Sequence, residues 1–309
     1  MKIEPKRVLV FGGNSFVGKM VVEALTCFNC SVTVIHRSPN KNQCVECIIG
    51  DRSCTNVYEL AKAFEPDVIV DFSMYLPEYA DSISSLVNEL NAHYIAISSA
   101  SIYKDFRAVE GSTIESNSGW GDYGRNKATS DELLRQAIEP ENMLLFRPTY
   151  FVGVGNPIKR CNFVFDCLHK GEVMPLPGDG SSKIQLVCAE DLTSLILEAV
   201  SRKLTGVYNV GGCDFLTVRR FAEICSLAAG IEIKFEEEHS ESEIYDELRW
   251  PFPALNLVVN QNKLFLDFET RFKSAEQIVS NCYRHFRKYR TQCVCLQRMS
   301  VLLCQLAME

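Results

Sequence analysis

A doubly wound parallel α/β sheet with a smaller carboxyl-terminal α/β cap is the fold class that three features of the 309-residue sequence predict. The first is the apolar run Arg7-Val8-Leu9-Val10-Phe11, followed at once by a glycine-rich turn and then by helix-forming residues from Lys19 to Leu25. The second is the repetition of such runs at Val32–Arg37, Val68–Ser73 and Tyr94–Ile97. A strand covered on both faces reads as a continuous apolar stretch rather than an alternating one, so these runs predict buried parallel strands. The third is length, which suits one substantial core with a small cap better than two independent domains.

The turn behind the first strand reads Phe11-Gly12-Gly13-Asn14-Ser15-Phe16-Val17-Gly18. Strand, glycine turn and helix in that order place backbone N–H groups and the positive end of a helix dipole where a pyrophosphate can sit. Gly12, Gly13, Ser15, Phe16, Val17 and Gly18 are therefore candidate dinucleotide contacts, although such turns also close ordinary strand-to-helix corners. A second, independent element agrees. Tyr123-Gly124-Arg125-Asn126-Lys127 places a phenol and an ammonium four residues apart, on one face of a helix that continues through Arg135. Upstream, Ser98-Ser99-Ala100-Ser101 closes the strand Tyr94–Ile97. An ammonium beside a phenol favours the phenolate, and a serine hydroxyl there can hydrogen-bond a reacting oxygen.

With these residues in view, the chain resembles the extended short-chain dehydrogenase/reductases, the NAD-dependent epimerase/dehydratase group, from about residue 7 to about residue 285. Further matching segments are Gly50-Asp51-Arg52, the fourth strand ending at Ser73, Phe146-Arg147-Pro148, Pro177-Gly178-Asp179-Gly180, Glu190-Asp191-Leu192 and Val207–Gly212. The resemblance implies a Rossmann-type domain over 1–155, to which 183–212 returns. It implies a substrate-binding cap from 156–182 and 213–290, with 291–309 as an extension outside the resemblance. It also implies roles: Tyr123 as general acid/base, Lys127 lowering its pKa and holding the nicotinamide ribose, and Ser99 hydrogen-bonding the reacting oxygen. Asp51 and Arg52 fall where the family contacts adenine, and Ser73 falls at the cofactor edge. Ser15 stands where the family usually has a glycine. At the end of the second strand no carboxylate awaits a ribose hydroxyl, and Arg37 can meet a 2′-phosphate, which favours NADP over NAD.

The implied substrate is a small molecule with a hydroxyl or carbonyl carbon, such as a sugar or nucleotide sugar. Two departures weaken a nucleotide sugar: Tyr150 replaces a common asparagine, and Ile184, beside Lys183, replaces a common arginine. Ser99 is followed by Ala100-Ser101 rather than by the Asp-Glu or Met-Glu pair usual in nucleotide-sugar dehydratases, so simple redox or epimerisation is expected ahead of dehydration. A rival from another class is a non-catalytic dinucleotide sensor or an RNA-associated relative of the fold. Retention of Ser99, Tyr123 and Lys127 together argues against the sensor.

A formal net charge of −7 argues against the RNA version and against an anionic-membrane surface. The charged start Met1–Arg7 does not read as a signal peptide, and no apolar stretch reaches the roughly 18 residues of a membrane span, so a cytoplasmic protein is expected. The fourteen cysteines should then be mostly reduced. Cys27, Cys30, Cys44 and Cys47 have a spacing close to a structural zinc pattern. The fold needs no metal there, and no metal is assigned.

In the cap, the sequence predicts one helix from Pro157 to Lys170 and another from Thr217 that stops at Gly230. Glu236–Glu241 reads as a solvated loop, and Trp250-Pro251-Phe252-Pro253 as a wall of the substrate cleft or as cap packing. The apolar segment 291–309 reads either as disorder or as an added helix that packs on the protein or pairs two subunits as a homodimer.

Overall fold

A computed structural model describes residues 4–37, 45–103, 121–238, 252 and 255–306. In chain order the first half contains β1 (Arg7–Phe11), α1 (Phe16–Cys27), β2 (Ser31–His36), β3 (Glu46–Ile49), α2 (Thr55–Ala63), β4 (Val68–Asp71), α3 (Ala80–Leu90), β5 (His93–Ile97), α4 (Gly121–Ala137) and β6 (Met143–Pro148). The short β7 (Tyr150–Val152), α5 (Arg160–Lys170), β8 (Met174–Pro177), β9 (Lys183–Ile184), β10 (Leu186–Cys188), α6 (Ala189–Arg202) and β11 (Gly206–Val210) follow. Last come β12 (Leu216–Thr217), α7 (Val218–Ala229), β13 (Phe235–Glu238), α8 (Asn262–Asp267) and α9 (Ala275–Leu306).

The chain divides into two compact units, the first comprising Met1–Phe151, Ile184–Phe215 and Asn256–Phe272. Its centre is a seven-stranded sheet in the order β11-β6-β5-β4-β1-β2-β3, with every neighbour pair parallel. Strands β1 and β4 are adjacent, so the chain winds outward to β3 and then returns to build the other half. The crevice at the carboxyl ends of β1 and β4 is the switch point where such sheets bind ligands.

Each strand is apolar throughout because helices cover both faces. Val8 and Val10 point to a core shared with Val17, Val21 and Leu25 of α1 and Leu192, Leu195 and Ile196 of α6. Leu9 and Phe11 point the other way, to Val57 of α2, Ile83 and Val87 of α3 and Leu134 of α4. Full burial of each such side chain stabilises the fold by about 1.5–3 kcal/mol before conformational entropy is counted.

Residues 256–272 group with this sheet unit, whereas the sequence places them in the cap. The reason is specific packing. Phe268 lies 5.7 Å from the Phe146 ring and meets Tyr208 edge-on at 5.0 Å. Gln261 Oε1 accepts from the Gly211 amide at 2.8 Å, and the Tyr208 hydroxyl donates to Asp267 at 2.9 Å.

The second unit comprises Val152–Lys183, Leu216–Leu255 and Lys273–Glu309. Here Phe165 of α5 packs on Tyr283 and Phe286 of α9 at 5.0 and 5.3 Å. Phe252 is fully buried, edge-on to Phe221 and under the Arg160 guanidinium, so it packs within this unit. Trp250, Pro251 and Pro253 lie outside the described residues. Helix α7 starts where the sequence predicts, with Thr217 accepting from the Arg220 amide, and ends at the left-handed Gly230.

Two expectations need correction. Helix α5 begins at Arg160 rather than Pro157, because the Asn156 side chain accepts from the Ile158 amide at 3.0 Å and holds a turn there. Glu236–Glu238 are not loop but part of β13, which pairs in parallel with β8; residues 239–241 lie outside the described ones. Helix α9 continues through the segment after residue 290 to Leu306.

Of the four cysteines with zinc-like spacing, Cys27 and Cys47 are exposed, Cys30 is buried in the core, and Cys44 lies outside the described residues. Among the described residues no metal-binding cluster is gathered, and no helix is long and apolar enough to cross a membrane.

Candidate functional site

Three glycines of the first turn are there for space. Gly12 has φ +74°, a conformation L side chains rarely adopt. A Cβ on Gly13 would fall 2.6 Å from Val34, and one on Gly18 would fall 2.4 Å from the Gly12 carbonyl oxygen. Ser15, where the family usually has glycine, caps α1: its Oγ accepts from the Gly18 amide at 3.1 Å, while its own amide donates to the Gly12 carbonyl at 2.9 Å. Phe16 and Val17 then open a twelve-residue helix aimed from the switch point. The glycines let the turn close tightly onto β2 and the start of α1, whose backbone N–H groups suit a dinucleotide pyrophosphate.

Beside the cradle, Arg37 is exposed just past β2. Asp51 also lies at the surface side of its turn. The Ser53 amide and hydroxyl, at 2.9 and 2.8 Å, hold its carboxyl below the usual range, and Arg37 and Arg52 add to the effect.

Arg52 departs from its expected place at the adenine. Its guanidinium turns inward, forms two 3.0 Å hydrogen bonds to the fully buried Asp71 and donates to Ser73 Oγ at 2.9 Å. It lies over the rings of Phe11 and Tyr79 at 4.9 and 4.7 Å. Burial alone would push the Asp71 carboxyl up, yet Arg52, the Ser73 amide and the Tyr94 hydroxyl hold it below the usual range. The same network fixes Ser73, whose hydroxyl donates to Asp71 at 3.2 Å.

The proton-transfer candidates converge past the end of β5. Ser99 Oγ accepts from the Ser101 hydroxyl at 2.8 Å and the Ser101 amide at 3.2 Å, which leaves its own O–H to donate to Tyr123. Lys127, on α4, is only 2 % exposed, and its Nζ donates to the Ile97 carbonyl at 2.8 Å. Burial lowers its pKa to about 8, against the opposing pull of Asp131 and Asp71. Asp131 is itself buried and accepts from Arg147 Nε at 3.0 Å. Ala100, which follows Ser99, is fully buried.

The expected effect of Lys127 on Tyr123 is not what the geometry gives. The Tyr123 pKa is pushed up to about 12, first by desolvation, although the residue as a whole is 49 % exposed, and then by Tyr75, with the Ser99 hydrogen bond opposing. The Lys127 ammonium sits over ring faces, 5.0 Å from the Tyr75 centroid and 6.0 Å from that of Tyr123, rather than at the phenol oxygen. Neither Tyr75 nor Asp131 stands in a motif of the sequence. Asp131 follows Lys127 by one helical turn and was in principle findable by that spacing; Tyr75 sits in an irregular loop that carries no periodic signal.

Ile184, in the position of a common arginine, is fully buried and bridged to Leu257, so it belongs to the core. Tyr150 is half-buried against the cluster of Ala100, Ile102 and Ala128.

Comparison with known proteins agrees with this geometry. The model of the NAD dependent epimerase/dehydratase family matches residues 8–211. A curated relative, the Uncharacterized protein y4nG of Sinorhizobium fredii, is 29% identical over 105 residues, 33% of this chain. The chain matches about a quarter of that protein's length, 26%. Among solved structures, WbmG of Bordetella bronchiseptica, in complex with NAD and UDP, superposes with a TM-score of 0.76 at 13% identity over 93% of this chain and 95% of that one. The dTDP-glucose 4,6-dehydratase of Bacillus anthracis, with NAD, gives 0.72 at 17% over 91% and 96%. The UDP-N-acetylglucosamine 4-epimerase of Bacillus cereus gives 0.70 at 18% over 90% and 98%. At these identities the likeness to the solved structures is one of fold. The family-model match spans about two thirds of the sequence, and the chain belongs to the NAD-dependent epimerase/dehydratase family, whose members are enzymes that bind NAD(P).

Proposed function

We propose that the protein is an NAD(P)-dependent oxidoreductase or epimerase that acts at a hydroxyl or carbonyl carbon of a small molecule through Ser99, Tyr123 and Lys127. The observation that carries this reading is the convergence of these three side chains past β5, in the same unit as the glycine cradle. Gly12, Gly13 and Gly18, with Ser15, Phe16 and Val17, would hold the pyrophosphate of the dinucleotide. Asp51 and Ser73 would line its adenosine and ribose sides, and exposed Arg37 would meet a 2′-phosphate, which supports NADP over NAD. A bound nicotinamide supplies hydride exchange at its C4.

The chain's own residues supply the proton. With a pKa pushed up to about 12, Tyr123 is a neutral phenol at pH 7 and is poised to donate to a carbonyl oxygen. Ser99, whose hydroxyl oxygen accepts from Ser101, donates its one O–H to Tyr123 and so supports the phenolate that remains after donation. Lys127, held on the Ile97 carbonyl and over the ring faces and not at the phenol oxygen, would hold the nicotinamide-side ribose. The reverse transfer returns the proton by the same path.

A sugar or nucleotide sugar is the substrate class that the family and the UDP in the WbmG complex support. Ile184 and Tyr150 leave two common nucleotide-sugar contacts unmade, and Ala100 beside Ser99 supports redox or epimerisation ahead of dehydration. Tyr123→Phe tests the reading. We expect turnover of a substrate found by screening reduced sugars and ketoses to fall by about 10²–10⁴-fold with dinucleotide affinity retained. Unchanged turnover would refute a proton-transfer role for Tyr123.

A further inference from the structure

Tyr75 belongs to no motif, yet it lies against the ammonium on which the proposed site depends. We propose that Tyr75 is a positioning residue for Lys127, and that its ring face rather than its hydroxyl holds the ammonium where it meets the nicotinamide-side ribose of a bound dinucleotide. This inference rests on the Ser99, Tyr123 and Lys127 reading given above.

Little else holds Lys127. Its buried Nζ makes one hydrogen bond among the described residues, to the Ile97 carbonyl. Both carboxylates whose charges act on it are already engaged, Asp131 with Arg147 and Asp71 with Arg52. An ammonium removed from water in this way needs a substitute for its hydration shell, and an aromatic face supplies one. The Tyr75 ring is the nearer of the two candidates, at 5.0 Å from centroid to Nζ against 6.0 Å for Tyr123.

Tyr75 is also well placed to hold a position. Its amide donates to the Ser73 carbonyl at 2.9 Å, and Ser73 is locked by Asp71 and Arg52. The buried ion pair therefore fixes the loop that carries the ring. The ring itself is 48 % exposed and tilted at 45° to Tyr123, with centroids 6.4 Å apart, so its burial is not needed to complete the core. Among the described residues its hydroxyl makes no hydrogen bond, which leaves the face as the part that acts.

The test measures dissociation constants by calorimetry for the tighter-binding of NAD and NADP, and for ADP, which lacks the nicotinamide ribose. Wild type, Tyr75→Ala, Tyr75→Leu, Tyr75→Phe and Lys127→Met are compared, each after circular dichroism has shown the native spectrum. We expect Ala and Leu to weaken the dinucleotide by about tenfold, the scale of one desolvated cation–π contact, while ADP binding stays at the wild-type value and Phe restores it fully. Loss in Tyr75→Phe equal to that in Tyr75→Ala would overturn the proposal by assigning the effect to the hydroxyl. A parallel loss of ADP affinity would overturn it by assigning the effect to general structure. Wild-type affinity in Tyr75→Ala and Tyr75→Leu, with a loss in Lys127→Met, would overturn the role of Tyr75 and leave the site reading standing. If Lys127→Met itself binds the dinucleotide like wild type, the site reading fails, and the proposal with it.

Discussion

Among the cations buried in the sheet unit, Arg52 and Lys127 are held in opposite ways. Arg52 faces a carboxylate with two hydrogen bonds of 3.0 Å, gains a third partner in Ser73 and lies over two aromatic rings. Lys127 has a single carbonyl and two ring faces, and its pKa is lowered to about 8. The first arrangement keeps a permanent charge in place and fixes the end of β4. The second leaves a charge under-compensated, which is what a group needs if a ligand or a developing anion is to complete its shell. On the proposed reading, buried charge serves architecture in one place and chemistry in the other.

Removing a partner should separate the two cases. Asp71→Ala leaves Arg52 buried without its carboxylate and should cost about 3–5 kcal/mol of stability, read from urea denaturation. A loss below 1 kcal/mol would mean that Arg52 reaches water and that the pair is not structural.

Lys127→Met should do the reverse. Because the folded state lowers the lysine pKa from 10.5 to about 8, the protonated lysine opposes folding, in full below pH 8 and not at all above about pH 10.5. The variant should therefore be more stable than wild type by about 1–3 kcal/mol at pH 7, with the gain fading as pH rises through that window. Thermal unfolding at pH 7 and pH 10 checks this, and a gain that grows with pH would contradict it.

The smallest effect belongs to the turn. Ser15→Ala removes the N-cap of α1 and should cost about 1 kcal/mol, whereas Ser15→Gly, the usual family residue, should cost only a few tenths. Equal losses in the two variants would show that the Ser15 hydroxyl does not cap the helix.

The same contrast explains what was legible in the sequence. The run Arg7–Phe11, the glycine turn and the Tyr123/Lys127 pair were readable because each depends on local rules: apolar continuity for a covered strand, small residues for a tight turn, helical spacing for a shared face. The neighbours of Arg52 match a motif that points to the adenine, but its partner Asp71 lies nineteen positions away and meets it only through the sheet. Tyr75 and residues 256–272 were missed for the same reason, since their roles arise from contacts with distant segments. The acidic run beginning at Glu236 looked solvated because its composition outweighed any strand pattern, yet pairing with β8 decides its backbone. Helical spacing fixes which face a lysine shares but not whether its ammonium reaches the phenol oxygen or the ring, so it does not set the direction of the Tyr123 shift.

The central claim is a dinucleotide site at the switch point of the sheet, and direct titration tests it best. Protein freed of any bound nucleotide would be titrated by calorimetry with NAD, NADH, NADP and NADPH. Saturable one-to-one binding is the predicted result, tighter for the phosphate-bearing pair if Arg37 meets the 2′-phosphate. Absence of binding by all four would contradict both the cradle and the chemistry built on it.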